Sequence, residues 1–305
     1  MFCSPGSRAA TRVRMAESGW GAPGRMPDGA GEPGDEVRPG DLRLDAAIAG
    51  RGLARSRTHA SQLIADGLVT VDGRPVVKAS VRVRDNQDIR VAGADHYVSR
   101  AAHKLNAALD AFAVRIEGSV ALDVGASTGG FSQVLLERGA TRVIALDVGH
   151  DQLAPDIAGD DRVTVIEGFN ARFMTAENLA AAAGGPVAVE IVVADLSFIS
   201  LPTVLPAVVG TVGLAASYVL LVKPQFEVGR TGIREGIVRQ APLRTDAVNG
   251  VLWAAWDLGL PTAGVVASPI AGASGNHEYL VWLDVAAGRS PAEWSDAVTV
   301  LTEAN

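Results

Sequence analysis

Apolar residues along this chain recur at two periods, and the change of period marks out its elements. Leu44, Ala47 and Ile48 fit a short helix beginning near Arg43. Ala60, Leu63 and Ile64 share one face of a second helix over about 57–66, with Ser56 placed to cap it and Gly67 to end it. The alternation then turns strand-like over 68–71, 74–77 and 88–91, with Asp72-Gly73 as the hairpin turn between the first two. Beyond His96-Tyr97-Val98 the pattern lengthens. Ala102, Leu105, Leu109 and Phe112 predict a helix over 99–112 with Ser99 as its cap. Short apolar runs at 120–124, 142–147, 163–166, 190–194 and 218–222 then alternate with helical stretches, which predicts a parallel sheet covered on both faces. Runs at 265–267 and 279–284 bring the strands to seven.

One apolar stretch invites a different reading, because residues 196–222 carry no charge and could in principle span a bilayer. Pro202, Pro206, Gly210 and Gly213 interrupt it, and Tyr218-Val219-Leu220-Leu221-Val222 reads as a separate buried strand, so no stable membrane association is expected.

Composition sharpens this picture locally. The net charge of -7 argues against a generic polyanion binder. From Asp41 to Lys104, however, 11 Lys+Arg stand against 7 Asp+Glu, while beyond Lys104 the balance is 11 against 22, so any basic face is N-terminal. The single cysteine, Cys3, removes disulfides, cysteine-ligated zinc and a cysteine nucleophile, and fits a reducing cytoplasm; no metal site is expected. Residues 1–41 are rich in Gly, Pro and charge without periodicity and read as a disordered leader with no secretory signal; Met15 and Met26 are alternative starts.

Arg51, Arg55 and Arg57 gather at a helix entrance, where guanidinium groups suit phosphate oxygens, although a solvated basic turn has the same composition. Lys78 and Arg100 extend this RNA-contacting candidate set. The order of elements, with Gly52-Leu53-Ala54-Arg55-Ser56 and Val69-Thr70-Val71-Asp72-Gly73, resembles the RNA-binding domain named after ribosomal protein S-four. The resemblance implies recognition of structured RNA by shape and backbone.

The first strand of the larger domain runs into Asp123-Val124-Gly125-Ala126-Ser127-Thr128-Gly129-Gly130-Phe131, a glycine turn at a strand's carboxyl end that leads directly into a helix. Asp147 ends the next strand, where a ribose diol would be held, which completes a nucleotide-type site. Dinucleotide enzymes place a pyrophosphate here on a G-x-G-x-x-G turn. This turn reads G-A-S-T-G-G, and Asp123 would repel a pyrophosphate yet can hold a cationic, amino-acid-bearing cofactor, so S-adenosylmethionine fits better. A strand-end cap is the alternative role for Asp123.

The acceptor follows by elimination. Amine methylation usually goes with Asn or Asp before Pro-Pro-aromatic after the fourth strand, whereas this chain has Asp195-Leu196-Ser197-Phe198, and pyrimidine carbon methylation needs a cysteine. A hydroxyl is left, and it needs a base or charge stabilisation. Among 27 basic residues only Lys78, Lys104 and Lys223 are lysines. Lys223 ends the fifth strand beside Asp195 at the end of the fourth, both on the ligand edge, and lysine, unlike arginine, can act in its neutral form. A purely structural ion pair between the two is the alternative.

Ser99-Arg100-Ala101-Ala102-His103-Lys104-Leu105, the glycine turn, Ala194-Asp195-Leu196-Ser197-Phe198-Ile199-Ser200, Leu221-Val222-Lys223-Pro224-Gln225-Phe226-Glu227 and Ser274-Gly275-Asn276-His277-Glu278-Tyr279 together resemble the TlyA family, also labelled haemolysin A. The resemblance implies cytidine 2'-O-methylation of ribosomal RNA in the small and large subunits. The implied fold is a Rossmann-like, seven-stranded class I methyltransferase domain of the FtsJ group (residues 96–290), behind a small α+β S4-like domain (42–95) and before a C-terminal tail (291–305). The leader departs from the family pattern. Motif by motif, the group's Lys-Asp-Lys-Glu tetrad falls on Lys104, Asp195, Lys223 and Glu278. The implied roles are Lys223 steering or deprotonating the hydroxyl, Asp195 and Glu278 tuning it, and Lys104 positioning the ribose. Glu227 is a competing carboxylate, more simply a loop acid. Asn170 falls where the group contacts adenine, or is a turn residue. The rival functions are a membrane-active haemolysin-like protein and a non-catalytic RNA-binding ribosome-assembly factor.

Overall fold

The computed structural model describes residues 42–304 apart from 52, 55, 92–95, 230–232, 234 and 273, so the leader and Arg55 lie outside the described residues. The small domain consists of β1 (Leu42–Arg43), α1 (Leu44–Gly50), α2 (Arg57–Ala65), β2 (Val69–Val71), β3 (Arg74–Pro75), β4 (Arg82–Val83) and β5 (Ile89–Val91). Ser56 caps α2 by accepting the His59 N–H. Asp72 and Gly73 both take positive φ, as a tight hairpin turn requires, and β2 pairs antiparallel with β3 and β5. Leu44, Ile48, Ala60, Ile64 and Val69 form its core. The β1–β4 pair, absent from the sequence expectation, has only two residues per strand, too few to show an alternation.

The larger domain runs α3 (Ala101–Phe112), β6 (Val120–Val124), α4 (Gly130–Glu137), β7 (Arg142–Leu146), α5 (Pro155–Ala158), β8 (Val163–Ile166), α6 (Ala176–Ala183), β9 (Ile191–Ala194), α7 (Leu201–Val212), β10 (Ser217–Val222), α8 (Pro224–Glu227), α9 (Ala241–Asp257), β11 (Thr262–Ala267), β12 (Tyr279–Leu283) and α10 (Ser295–Glu303). The seven strands lie in the order β11-β12-β10-β9-β6-β7-β8, and β12 alone runs antiparallel to its neighbours. Alternate residues of each strand enter opposite cores. Leu122, Val192 and Leu220 pack with α7 and α9, whereas Ala121, Val193 and Val219 pack with α3 and α4, so the central strands are apolar throughout.

The uncharged run divides as expected, into α7 and the central strand β10, and among the described residues no helix is long and apolar enough to cross a membrane. The segment set apart as a tail forms a 3-10 turn and α10; Val298 is fully buried in the main core, and Arg244 of α9 donates to the Thr302 carbonyl at 2.6 Å. From β6 the chain moves outward to β7 and β8, then crosses back to β9 on the other side of β6. That reversal opens a crevice at the carboxyl ends of β6 and β9, the place where open α/β sheets bind ligands.

Candidate active site

The glycine turn lines this crevice because its backbone must pass under a crossing strand end. Gly125 has φ +86°, and a Cβ there would stand 2.8 Å from the Asp195 carbonyl oxygen, so only glycine fits. A Cβ on Gly130 would meet that of Ser99 at 2.8 Å, which presses the start of the Lys104 helix onto the turn. Asp147 fixes the other wall: its carboxylate accepts the N–H groups of Ser127 at 2.8 Å and Gly149 at 2.7 Å. A cavity of about 450 Å³ opens between Gly125, Ser127, Asp147, Phe169, Asn170 and Asp195, and a smaller one of about 110 Å³ continues past Asp195 to Thr128, Phe131 and Lys223. The larger lies within the range of roughly 300–1,000 Å³ usual for small-molecule sites.

Asp123 departs from its expected place at the ligand. It sits on the α4 side of β6, fully buried beneath the turn, and lines neither cavity. Its Oδ2 accepts the Ser132 hydroxyl at 2.7 Å, and its Oδ1 has no partner. Burial pushes this carboxyl up to about 7; the Ser132 bond opposes the shift, and the nearby Asp195 and Asp147 carboxylates add to it. Gly129, with φ +94°, shapes the turn against Leu153 and also lies off the cavities, whereas Ala126 and Phe131 line the smaller one. Asn170 lines the larger cavity and its side chain accepts the Arg172 N–H, as a turn residue does.

The four tetrad positions converge on the same edge. Lys223 Nζ stands 2.5 Å from Asp195 Oδ1 and 2.9 Å from Ser197 Oγ. Lys104 Nζ stands 2.5 Å from Glu278 Oε2. Antiparallel pairing of Val222 with Tyr279 puts Lys223 and Glu278 one residue beyond the last pair of β10 and β12, so the two ion pairs occupy adjacent strand ends. Lys104, Lys223 and Glu278 are buried, and each is ion-paired with a group of opposite charge, the arrangement that buried charges require.

Two neighbouring residues escaped the sequence reading. Ser197 supplies the second bond to Lys223. Phe198 holds φ +66°, a strained conformation for a bulky residue, with its ring 92% exposed and 5.3 Å from that of Phe226. An acid-to-helix loop rich in Ser and Phe is visible in the sequence; the sign of its φ is not. Glu227 touches neither lysine. It accepts the Ser200 hydroxyl at 2.7 Å and the Leu201 N–H at 2.9 Å, and burial raises its carboxyl while both bonds oppose that shift.

The basic cluster of the small domain does not form a uniform face. The Arg51 guanidinium donates to the carbonyls of Gln87, Arg84 and Asp85 at 2.8 to 3.0 Å and so closes its own domain. Arg57 pairs with the buried Asp45 at 3.2 Å, yet its side chain stays 61% exposed. Lys78 and Arg100 are exposed.

Comparison with known proteins agrees in both domains. Residues 97–285 match the FtsJ-like methyltransferase family and residues 42–89 the S4 domain. The chain is 50% identical over 244 residues to the 16S/23S rRNA (cytidine-2'-O)-methyltransferase TlyA of Mycobacterium tuberculosis, covering 79% of this chain and 89% of that protein. It is 38% identical over 240 residues to Hemolysin A of Brachyspira hyodysenteriae, covering 78% and 98%. A solved structure described as a hemolysin from Streptococcus thermophilus superposes with a TM-score of 0.68 at 32% identity, over 87% of this chain and 95% of that one.

Proposed function

The chain belongs to the FtsJ-like methyltransferase family, in its TlyA branch with an S4 domain ahead of the catalytic domain, and from that premise we propose that it methylates the ribose 2'-hydroxyl of a cytidine in ribosomal RNA. The observation that carries the reading is the convergence of Lys104–Glu278 and Lys223–Asp195 beside a glycine turn at the sheet's switch point. The residues of the crevice fit S-adenosylmethionine. Asp147 and Asn170 line the larger cavity and suit its ribose and adenine, and the Gly125 backbone lies where a Cβ could not. When bound, the cofactor supplies an electrophilic methyl on a sulfonium.

Lys223, held by Asp195 and Ser197, is the group that takes or steers the proton of the attacking hydroxyl. Asp195 and Glu278 keep the two amines oriented, and Lys104, ion-paired with Glu278, is the group we assign to positioning the ribose. Arg57, Lys78 and Arg100 offer exposed cations for rRNA phosphates. Such a function places the protein in the cytoplasm with ribosomal subunits. Transfer of labelled methyl from S-adenosylmethionine to isolated small or large subunits, mapped to a 2'-O-methylcytidine, tests the reading; no transfer to either subunit refutes it and leaves a non-catalytic RNA-binding factor.

A further inference from the structure

Two short segments bring the amine and the acid of the Lys223–Asp195 pair together: residues 195–200 after β9, and residues 223–227 after β10. They are joined at three levels. Lys223 meets Asp195 and Ser197 at the inner end, Phe226 meets Phe198 in the middle, and Glu227 meets Ser200 and the Leu201 N–H at the outer end. The loop so enclosed contains Phe198 in its left-handed conformation. Backbone strain at one residue persists only where the surroundings over-determine it, and here both ends of the loop are pinned. The outer pin is a half-buried carboxylate that satisfies a backbone donor in the first turn of the 12-residue α7, where negative charge is also favoured.

We infer that Glu227 is a positioning residue of the methyl-transfer site: its two bonds to Ser200 and Leu201 hold the 195–200 segment against the 223–227 segment and thereby fix Lys223 relative to Asp195. This rests on the methyl-transfer reading above. Glu227 reaches no reacting group and acts only through the loop. The effect belongs to kcat, because neither Ser200 nor Glu227 lines the cavities.

The experiment uses the full chain, labelled S-adenosylmethionine and isolated ribosomal subunits, with competent sites counted by calorimetric cofactor binding. Glu227→Ala is expected to lower kcat per competent site about tenfold, within the roughly 100-fold that a misplacement of about 1 Å can cost, with KM for RNA and cofactor within about twofold. Glu227→Gln keeps an acceptor for Leu201 and a polar partner for Ser200, and is expected within about threefold of the parent. Ser200→Ala, which removes one of the two bonds, is expected to fall between them and serves if Glu227→Ala does not fold. A kcat per site unchanged in Glu227→Ala and Ser200→Ala, or a loss explained wholly by fewer binding-competent sites, overturns the inference. Equal inactivity of Glu227→Gln and Glu227→Ala also overturns it, since the carboxylate would then act in proton transfer itself. Absence of transfer by the parent protein overturns the methyl-transfer reading instead.

Discussion

In the small domain Arg51 turns back onto its own chain and bonds three backbone carbonyls, whereas in the larger domain Lys104 and Lys223 each meet a carboxylate, the latter at the rim of a cavity. Both sets of cations stand out in the sequence by residue type and spacing. The difference lies in what surrounds them. A guanidinium presents a planar fork of donors that any nearby group of carbonyls can occupy, and the turn at residues 84–87 supplies one. An ammonium at a parallel strand's carboxyl end has little backbone within reach, so it is left to a facing acid. Lys223 at a strand end therefore keeps a chemical function more readily than Arg51 at the end of α1, where closing the small domain competes for its donors.

The largest effect that could break this comparison is at Lys223. Lys223→Ala is expected to lower methyl transfer about 100- to 10,000-fold, the range for removing a general base, while calorimetry shows cofactor binding retained. Lys223→Arg keeps the charge and the ion pair but cannot yield a neutral amine, so it is expected to stay nearly as inactive. Retained transfer by either variant would reduce the Lys223–Asp195 contact to an ion pair of the fold.

A second effect belongs to the acid beneath the turn. Folding takes the Asp123 carboxyl from 3.8 to about 7, chiefly by burial. Between those values the folded protein keeps a proton that the unfolded chain has released, so stability falls as pH rises from about 4 to 7, by at most roughly 4 kcal/mol. Asp123→Asn keeps the Ser132 contact and removes that slope. Without cofactor, the parent is expected to lose up to roughly 10 °C of Tm relative to the variant between about pH 4.5 and 7.5. Parallel Tm curves for the two proteins would mean that the carboxyl is not carrying this proton.

How much of this is legible in the sequence follows the same division. The seven strands are readable because a strand buried on both faces has to be continuously apolar, as Tyr218-Val219-Leu220-Leu221-Val222 is. The tetrad residues are readable because lysine is rare here and because Asp195, Lys223 and Glu278 fall at strand ends, with Lys104 in the first turn of a helix. Features set by tertiary contact are not readable. Asp123 looks like a strand-end ligand until the alternation of β6 turns its side chain toward α4, and Glu227 looks like a loop acid until the 26 residues separating it from Leu201 are folded away. The C-terminal helix reads as a tail because a nine-residue segment with one fully buried valine carries little periodic signal; its anchoring comes from Arg244, far off in sequence.

The smallest effect tests the arginine side of the comparison directly. Arg51→Ala leaves three carbonyls to water at an exposed site and is expected to destabilise the small domain by about 1 kcal/mol. Because its guanidinium is already occupied, the dependence of RNA affinity on salt should not change. Arg57 shares Asp45 with Arg43, and that carboxyl is held below its usual range, first by the Arg43 bond; the exposed face of Arg57 remains open to a phosphate. Arg57→Ala, or Lys78→Ala, is expected to reduce the slope of log affinity against log salt by about one, as follows when one phosphate is no longer neutralised. Titrations of ribosomal RNA at several salt concentrations read both quantities at once. If Arg51→Ala flattened the slope as much as Arg57→Ala, the carbonyl bonds would have to give way on RNA binding, and the contrast between the two cation sets would dissolve.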